Sequence, residues 1–450
     1  MTFTTTVNVD RSDIAMKGRT PPVTIPCVKD LAREFEILLQ QHVYSAAMKR
    51  VIASFNLDAL QLQATETMGK HCNGCHPMGQ GGYNTVFILT FEDSTDIIAR
   101  LSGSHSGQDE RMSPEALVRR FISEVATLRY VKKKTTIPVP EVYHAVSDSE
   151  NPVGARYILM ERLSGQTLTA PWNTFTSDQR RNMIASLANF QAQLLELEFP
   201  AIGCLVDEQG TVGPLGLSCT YPFVLRDDCG PFKSSKDFLL AHVNAELDLL
   251  TNHVDEWTEK RQFWANLNGG FEDLPREYAI QWFQLLLDGI SALPFELLDP
   301  PENAFVLYHD DFNSGNILVS HADPTVVVGI LDWEGSRVSP LWDPRRMCTV
   351  LSDSKVDDPQ ELASLRELEY DILTDAQPYA RYSQLHLARL LHITDYGHST
   401  QSKRSELNRL FLQWYAGVCG TGRADKIESF MGLKKFIEAS EVAIQPEAPI

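Results

Sequence analysis

No apolar run in this chain approaches the roughly 20 residues that a membrane-spanning helix needs. Met1 to Asp10 is polar, with neither the apolar core of a secretion signal nor the Arg-rich look of a transit peptide. A cytoplasmic protein is the expectation. Basic residues are in short supply: 40 Lys and Arg stand against 59 Asp and Glu, a net charge of -19. Nucleic-acid binding rests on neutralising phosphates, so this balance argues against it. It suits a cationic small-molecule partner, although acidic excess most often serves solubility. Internal repeats and low-complexity blocks are missing as well.

A disulfide framework is also lacking. The eight cysteines (Cys27, Cys72, Cys75, Cys204, Cys219, Cys229, Cys348 and Cys419) are scattered and read as free thiols. One spacing stands out: Cys72-Asn73-Gly74-Cys75-His76 matches the C-x-x-C-H pattern of c-type haem attachment. Haem attachment needs an export or organelle route and an axial partner, and zinc needs a second ligand pair. The sequence signals none of these, so the segment reads as a loop or strand edge before a glycine turn.

What is present is concentrated in one stretch. His309-Asp310-Asp311-Phe312-Asn313-Ser314-Gly315-Asn316 precedes two apolar, β-branched strands, Ile317 to Ser320 and Thr325 to Leu331. His321, Ala322, Asp323 and Pro324 form the turn between them, and Asp332-Trp333-Glu334 follows. Antiparallel pairing about Pro324 puts Asn316 at the opening of one strand and Asp332 at the close of the other. Asp311, from the preceding loop, is expected in the same place. Three oxygen-bearing side chains at the mouth of a hairpin are what a Mg-nucleotide phosphoryl-transfer site requires.

The order H-x-D-x-x-x-x-N, a hairpin, then D-W resembles the aminoglycoside phosphotransferase and choline kinase group of the protein-kinase-like fold. The wording around it, with Ser339-Pro340-Leu341-Trp342-Asp343 downstream, looks most like the fungal branch of that group. The resemblance implies an α+β, two-lobed fold with a small β-rich N-lobe and a larger, mainly helical C-lobe. The expected layout is a loose arm over 1–26, a nucleotide-binding N-lobe over 27–160, a catalytic and acceptor-binding C-lobe over 161–440, and a tail over 441–450. A chain of 450 residues with 43% hydrophobic content has the core for two or three such units.

Chemistry then assigns roles. A hydroxyl is a weak nucleophile, so a carboxylate must orient it and accept its proton, and Asp311 has the place for that. Asn316 and Asp332 are hard oxygen ligands suited to Mg²⁺. His309 is expected to hold the loop by a hydrogen bond. Asp310 stands where small-molecule kinases usually carry Gly, which leaves two neighbouring acids; the spacing to Asn316 favours Asp311 as base.

Toward the N-terminus the signals are weaker singly and gain from their order. Lys29 to Phe55 is helix-like, with Leu31, Phe35, Leu38 and Leu39 on one face. Gly79-Gln80-Gly81-Gly82-Tyr83-Asn84 leads into a strand over Thr85 to Phe91. A glycine turn lays backbone N–H groups over phosphates, and in this order Gly81, Gly82 and Asn84 resemble the family's nucleotide-covering loop. In a second strand, Asp96 to Leu101, alternation puts Ile98 and Arg100 on one face, opposite Ile97, Ala99 and Leu101. Arg100 stands where kinases place Lys, as a planar fork in place of a point charge. Its alternative is a surface arginine at a strand end.

Ser113-Pro114-Glu115 starts a helix with a cap, an N1 proline and an early acid, and Leu117, Phe121, Val125 and Leu128 form its expected buried stripe. Glu124, at the edge of that stripe, wants a cationic partner. Arg100 reproduces the strand-to-helix pair of kinases, and Arg120 on the same helix is the other candidate. After Ile137-Pro138-Val139-Pro140 and a strand over Arg156 to Met160, the connector from Glu161 to Gly165 is, by resemblance, the adenine-binding hinge. Asp178 to Leu197 reads as a helix with Met183, Leu187, Phe190 and Leu194 on one side. Pro222 to Pro300 is aromatic and helix-forming, with Trp257, Trp264, Trp282 and Phe283. Three or four more helices are expected to about Gly432.

The reading is an ATP- and Mg²⁺-dependent phosphotransferase acting on the hydroxyl of a small molecule. A nucleotide-binding interaction module without turnover is the alternative, drawing on Asp310 and Arg100. A protein kinase proper ranks last, because no A-P-E segment follows Asp332 and Trp333-Glu334 replaces Phe-Gly.

Overall fold

The computed structural model of the protein describes residues 52–80, 84–102, 113–215, 230–258, 276–292, 299, 305–341, 350–353, 356 and 358–376. The expected arm, most of the Lys29–Phe55 helix, the tail and the helices beyond 376 lie outside the described residues. Two compact units emerge. The first draws on residues up to 121, on 137–169 and on 315–331; the second draws on 122–136, on 170–314 and on residues from 332 onward.

The first unit is built on a five-stranded antiparallel sheet in the order β1-β2-β3-β5-β4, made of β1 (Cys72–Gln80), β2 (Asn84–Phe91), β3 (Asp96–Ser102), β4 (Val142–Val146) and β5 (Arg156–Glu161). Alternation in β2 buries Phe87, Leu89 and Phe91, and in β3 it buries Ile97, Ala99 and Leu101. Helix α1 (Leu57–Met68), capped by the Asn56 side chain at the Ala59 N–H (3.1 Å), adds Leu60 and Ala64 to the same core. The C-x-x-C-H segment is the edge strand β1. Cys72 and Cys75 are free thiols there; burial pushes the Cys75 thiol up to about 12, with Cys72 adding to the rise.

The hairpin forms where the turn residues place it. β10 (Ile317–Val319) pairs with β11 (Val327–Ile330), Ile317 facing Ile330, and the Asp323 carboxylate takes the Thr325 N–H and hydroxyl at 3.0 and 2.6 Å. Strand β6 (Gln166–Thr167) joins it to give a three-stranded sheet, β11-β10-β6. The hairpin is held further by Ile330 N–H to Pro138 O (2.7 Å) and Leu168 N–H to Ile317 O (2.8 Å). The proline segment 137–140 is thus a strap along β11 as well as a chain turn.

Helix α2 (Pro114–Lys134) starts as expected, with the Ser113 hydroxyl accepting the Ala116 N–H at 3.2 Å. Its burial departs from a simple stripe. Leu117 is only half-buried, whereas Arg120, Ser123, Glu124 and Thr127 are buried together with Phe121, Val125 and Leu128. From Arg120 onward this helix is covered on more than one face, which an amphipathic projection does not anticipate.

In the second unit, α3 (Ser177–Leu195) opens with a capping box between Thr176 and Gln179. Met183, Leu187 and Leu194 are buried on it, and Phe190 is half-buried. The Arg180 guanidinium meets Glu361 on α6 (Pro359–Ala376) at 3.0 Å. Helices α4 (Ser235–Asn252) and α5 (Arg276–Ala292) occupy the aromatic-rich stretch, with Phe283 buried and Trp257 half-buried; the Trp264 and Trp282 side chains lie outside the described residues. Short β7 (Cys204–Leu205) and β8 (Val212–Gly213) form a ribbon, as do β9 (Phe305–Tyr308) and β12 (Arg337–Pro340).

Candidate active site

The site grows from the β9–β12 ribbon. All four residues of each strand are buried, Tyr308 faces Arg337, and the Tyr308 hydroxyl donates to Pro340 O at 2.7 Å. One loop leaves β9 carrying His309 to Ser314. A second enters β12 carrying Asp332 to Ser336. A ribbon of two buried, paired strands therefore delivers two loops side by side.

His309, 5% exposed, clamps them together. Its ring packs edge-on to Phe312 (5.5 Å between centroids) and Trp333 (4.7 Å), and Trp333 is itself buried. The Asp311 N–H donates to His309 Nδ1 at 3.2 Å, so the neutral ring carries its proton on Nε2. The structural role expected for His309 is the one observed.

The two neighbouring acids part company. Asp310 is 4% exposed at its side chain and receives the Arg337 guanidinium at 3.0 Å, with Arg337 8% exposed. Asp311 is half-buried, and its Oδ1 takes the Asn313 amide at 2.6 Å, which orients the carboxylate. The two neighbouring acids thus differ in partner, Asp310 meeting a guanidinium and Asp311 an amide. Neither Arg337 nor Asn313 was singled out from sequence. An unexpected acid beside a buried His called for a counter-charge, and Arg337 was within the same motif to supply it.

Asp332 has φ 62°, left-handed backbone that non-glycine residues rarely adopt and that Asp and Asn adopt most readily. Asn316 closes the hairpin, its carbonyl accepting the N–H of Leu331, the residue directly before Asp332, at 2.8 Å. Magnesium is typically held by one or two side-chain oxygens, with phosphates and water completing its shell. By donor chemistry, an amide oxygen and a carboxylate are groups of the kind such an ion takes.

The expected nucleotide contacts are placed as follows. Gly81 and Gly82 lie outside the described residues. Asn84 is buried at the start of β2, accepting the Ser102 hydroxyl at 2.9 Å, so part of its side chain ties β2 to β3. Arg100 is half-buried between Val86 and Ile158 on the face opposite Ala99, as alternation predicts. Glu124 is 4% exposed on α2. Glu161 ends β5, its carboxylate accepting the Glu141 N–H at 3.0 Å. Beyond it, Arg162 pairs with Asp96. Gly165 passes so close to the hairpin that a Cβ there would stand 2.8 Å from Val319 O.

Residues 75–379, more than half of the chain, match the phosphotransferase enzyme family. The chain belongs to that family. A subtelomeric hrmA-associated cluster protein of Aspergillus fumigatus is 25% identical over 318 residues, covering 60% of this chain and 59% of that protein. Clavilactone A biosynthesis cluster protein Y of Ampulloclitocybe clavipes is 22% identical over 69% of this chain and 68% of its own length. Altered inheritance of mitochondria protein 9 of Lachancea thermotolerans is 32% identical over 34% of this chain and 26% of its own. The match to the Aspergillus protein thus spans about three fifths of its length, and that to the Lachancea protein about a quarter. Among solved structures, a fructosamine-3-kinase of Thermobifida fusca covers 80% of this chain and all of its own at 16% identity and TM-score 0.47. An aminoglycoside phosphotransferase solved with ADP and hygromycin B covers 82% and 98% at 14% identity and TM-score 0.42.

Proposed function

We propose that this phosphotransferase-family protein moves the γ-phosphoryl group of ATP to a hydroxyl of a small molecule. The observation that carries the reading is the braced loop pair: Asp311 oriented by Asn313, and Asp332 set in left-handed backbone across the His309–Trp333 contact. In this reading Asp311 orients the acceptor hydroxyl and takes its proton. Asp332 and Asn316 hold Mg²⁺, which when bound neutralises charge on the nucleotide phosphates. Arg100 contacts phosphate from a sheet face that also carries the half-buried Val86, Ile88 and Ile98, a surface suited to a nucleotide with an apolar base and charged tail.

The acceptor is a sugar, an amino alcohol or a specialised metabolite, and the -19 charge favours cationic examples. The relative named for a biosynthesis cluster puts specialised metabolites first in a screen. A cytoplasmic location belongs to the same reading; a tagged full chain found in mitochondria would overturn that part.

The test is a thermal shift of wild type and Asp332→Ala with ATP or GTP, with and without Mg²⁺. A nucleotide at one hundred times its dissociation constant stabilises by about 2.7 kcal/mol. Stabilisation that needs Mg²⁺ and disappears in Asp332→Ala supports the site. Absence of any nucleotide effect rejects it. Nucleotide binding indifferent to Mg²⁺ and without turnover would instead favour an interaction module, a reading weakened by the burial of Asp310 against Arg337.

A further inference from the structure

We propose that Asp310 and Arg337 form a positioning pair that sets where Asp332 meets a divalent cation. The proposal rests on the phosphotransferase reading and concerns two residues to which that reading gives no contact with nucleotide or acceptor. Arg337 is the first residue of β12, facing Tyr308, and Asp310 is two residues beyond Tyr308. Their 3.0 Å contact therefore spans the two loops at the point where both leave the ribbon. Gly335 comes in over the same carboxylate: its φ is 81°, and a Cβ there would stand 3.2 Å from Asp310 Oδ2. The segment from Asp332 to Arg337 is thus folded around Asp310, entering through one left-handed residue, Asp332, and turning through another, Gly335.

A buried ion pair is a weak source of stability, since desolvating both charges offsets most of their attraction. What it supplies is direction. A guanidinium is a planar fork with fixed donor angles, and a carboxylate locked on it fixes the relative placement of two backbones. Apolar side chains of the same volume would hold the loops together without that angular constraint. The pair also commits the Arg337 charge to Asp310, one residue from the proposed base. Moving Arg337 toward Asp332 would place a fixed cation where Mg²⁺ is to bind.

Two variants test the idea. Asp310→Asn combined with Arg337→Met removes both charges and nearly keeps the volume, so it leaves the melting temperature near wild type. Arg337→Lys keeps the charge and loses the fork. The readout is the Mg²⁺ concentration at half-maximal stabilisation by ADP, followed as a thermal shift alongside ADP without Mg²⁺. The double variant is expected to need at least tenfold more Mg²⁺, and Arg337→Lys several-fold more, with the metal-free ADP shift unchanged in both. Wild-type Mg²⁺ midpoints in the folded variants would overturn the positioning role alone. If wild type itself shows no Mg²⁺-dependent shift with ADP, the phosphotransferase reading falls and takes this proposal with it.

Discussion

Replacing Asp311 by Asn keeps the size of the loop and removes its proton acceptor. Transfer to an identified acceptor should fall by about 10²–10⁴-fold, the usual worth of a positioned base, while nucleotide affinity by thermal shift stays near wild type. Asn313→Ala should cost less, about tenfold in kcat with the nucleotide KM unchanged, because the base remains and its 2.6 Å orienting bond is lost. Steady-state kinetics on both variants separate these outcomes; full activity in Asp311→Asn would reject the assignment. At this scale the motif was legible because its parts are close in sequence. Asp311, Asn316 and Asp332 were named from spacing, and the loop-holding role of His309 followed. Arg337 was not, because pairing it with Asp310 requires knowing that β9 and β12 are neighbours.

The connector after β5 shows what an element requires of its glycine. Gly165 leaves no space for a methyl group against Val319 O and the Val328 side chain, each 2.8 Å from a built Cβ. Gly165→Ala should destabilise by about 1–3 kcal/mol in a denaturant melt, the range for forced overpacking. A second prediction concerns the start of α4, where Asp299 accepts the Ser235 N–H at 2.8 Å. Burial raises its pKa, with the Ser235 bonds acting the other way. A raised carboxylate pKa favours folding below the unfolded value near 4, and that contribution is lost as pH climbs through the folded value. Asp299→Asn, which keeps an acceptor oxygen, should therefore gain melting temperature relative to wild type between pH 4 and 7; a constant difference would contradict the burial effect. Among elements, the hairpin and the Ser113 cap were readable, since turn and cap residues act locally. Strand β1 was read only as a possible strand edge. Cys72 to Gln80 holds no β-branched residue and includes Gly74, Pro77 and Gly79, so only pairing with β2, through two register shifts, makes it a strand.

Across the whole molecule, a charge of -19 means self-repulsion in the compact state. Raising NaCl from about 10 to 150 mM shortens the Debye length from about 30 to 8 Å, and the melting temperature should rise. The Asp310–Arg337 pair, buried on both sides, is little affected by that screening. A melting temperature falling with salt would show that exposed ion pairs outweigh the excess of acid. The α+β class followed from the resemblance carried by the catalytic motif, with the order of strand and helix signals in keeping with it. The units themselves were less so, because a reading along the chain draws continuous lobes, whereas the first unit takes 315–331 from late in the sequence.

That borrowed hairpin has a consequence for synthesis. A nascent chain that has cleared the ribosome through β5 has every strand of the five-stranded sheet, and that sheet has its own core. Strand β6 has no sheet to join until residues 317–330 emerge, and the strap at Pro138 has no β11 to hold. Folding of the first unit is therefore split in time, with the hairpin that leads into Asp332 added last.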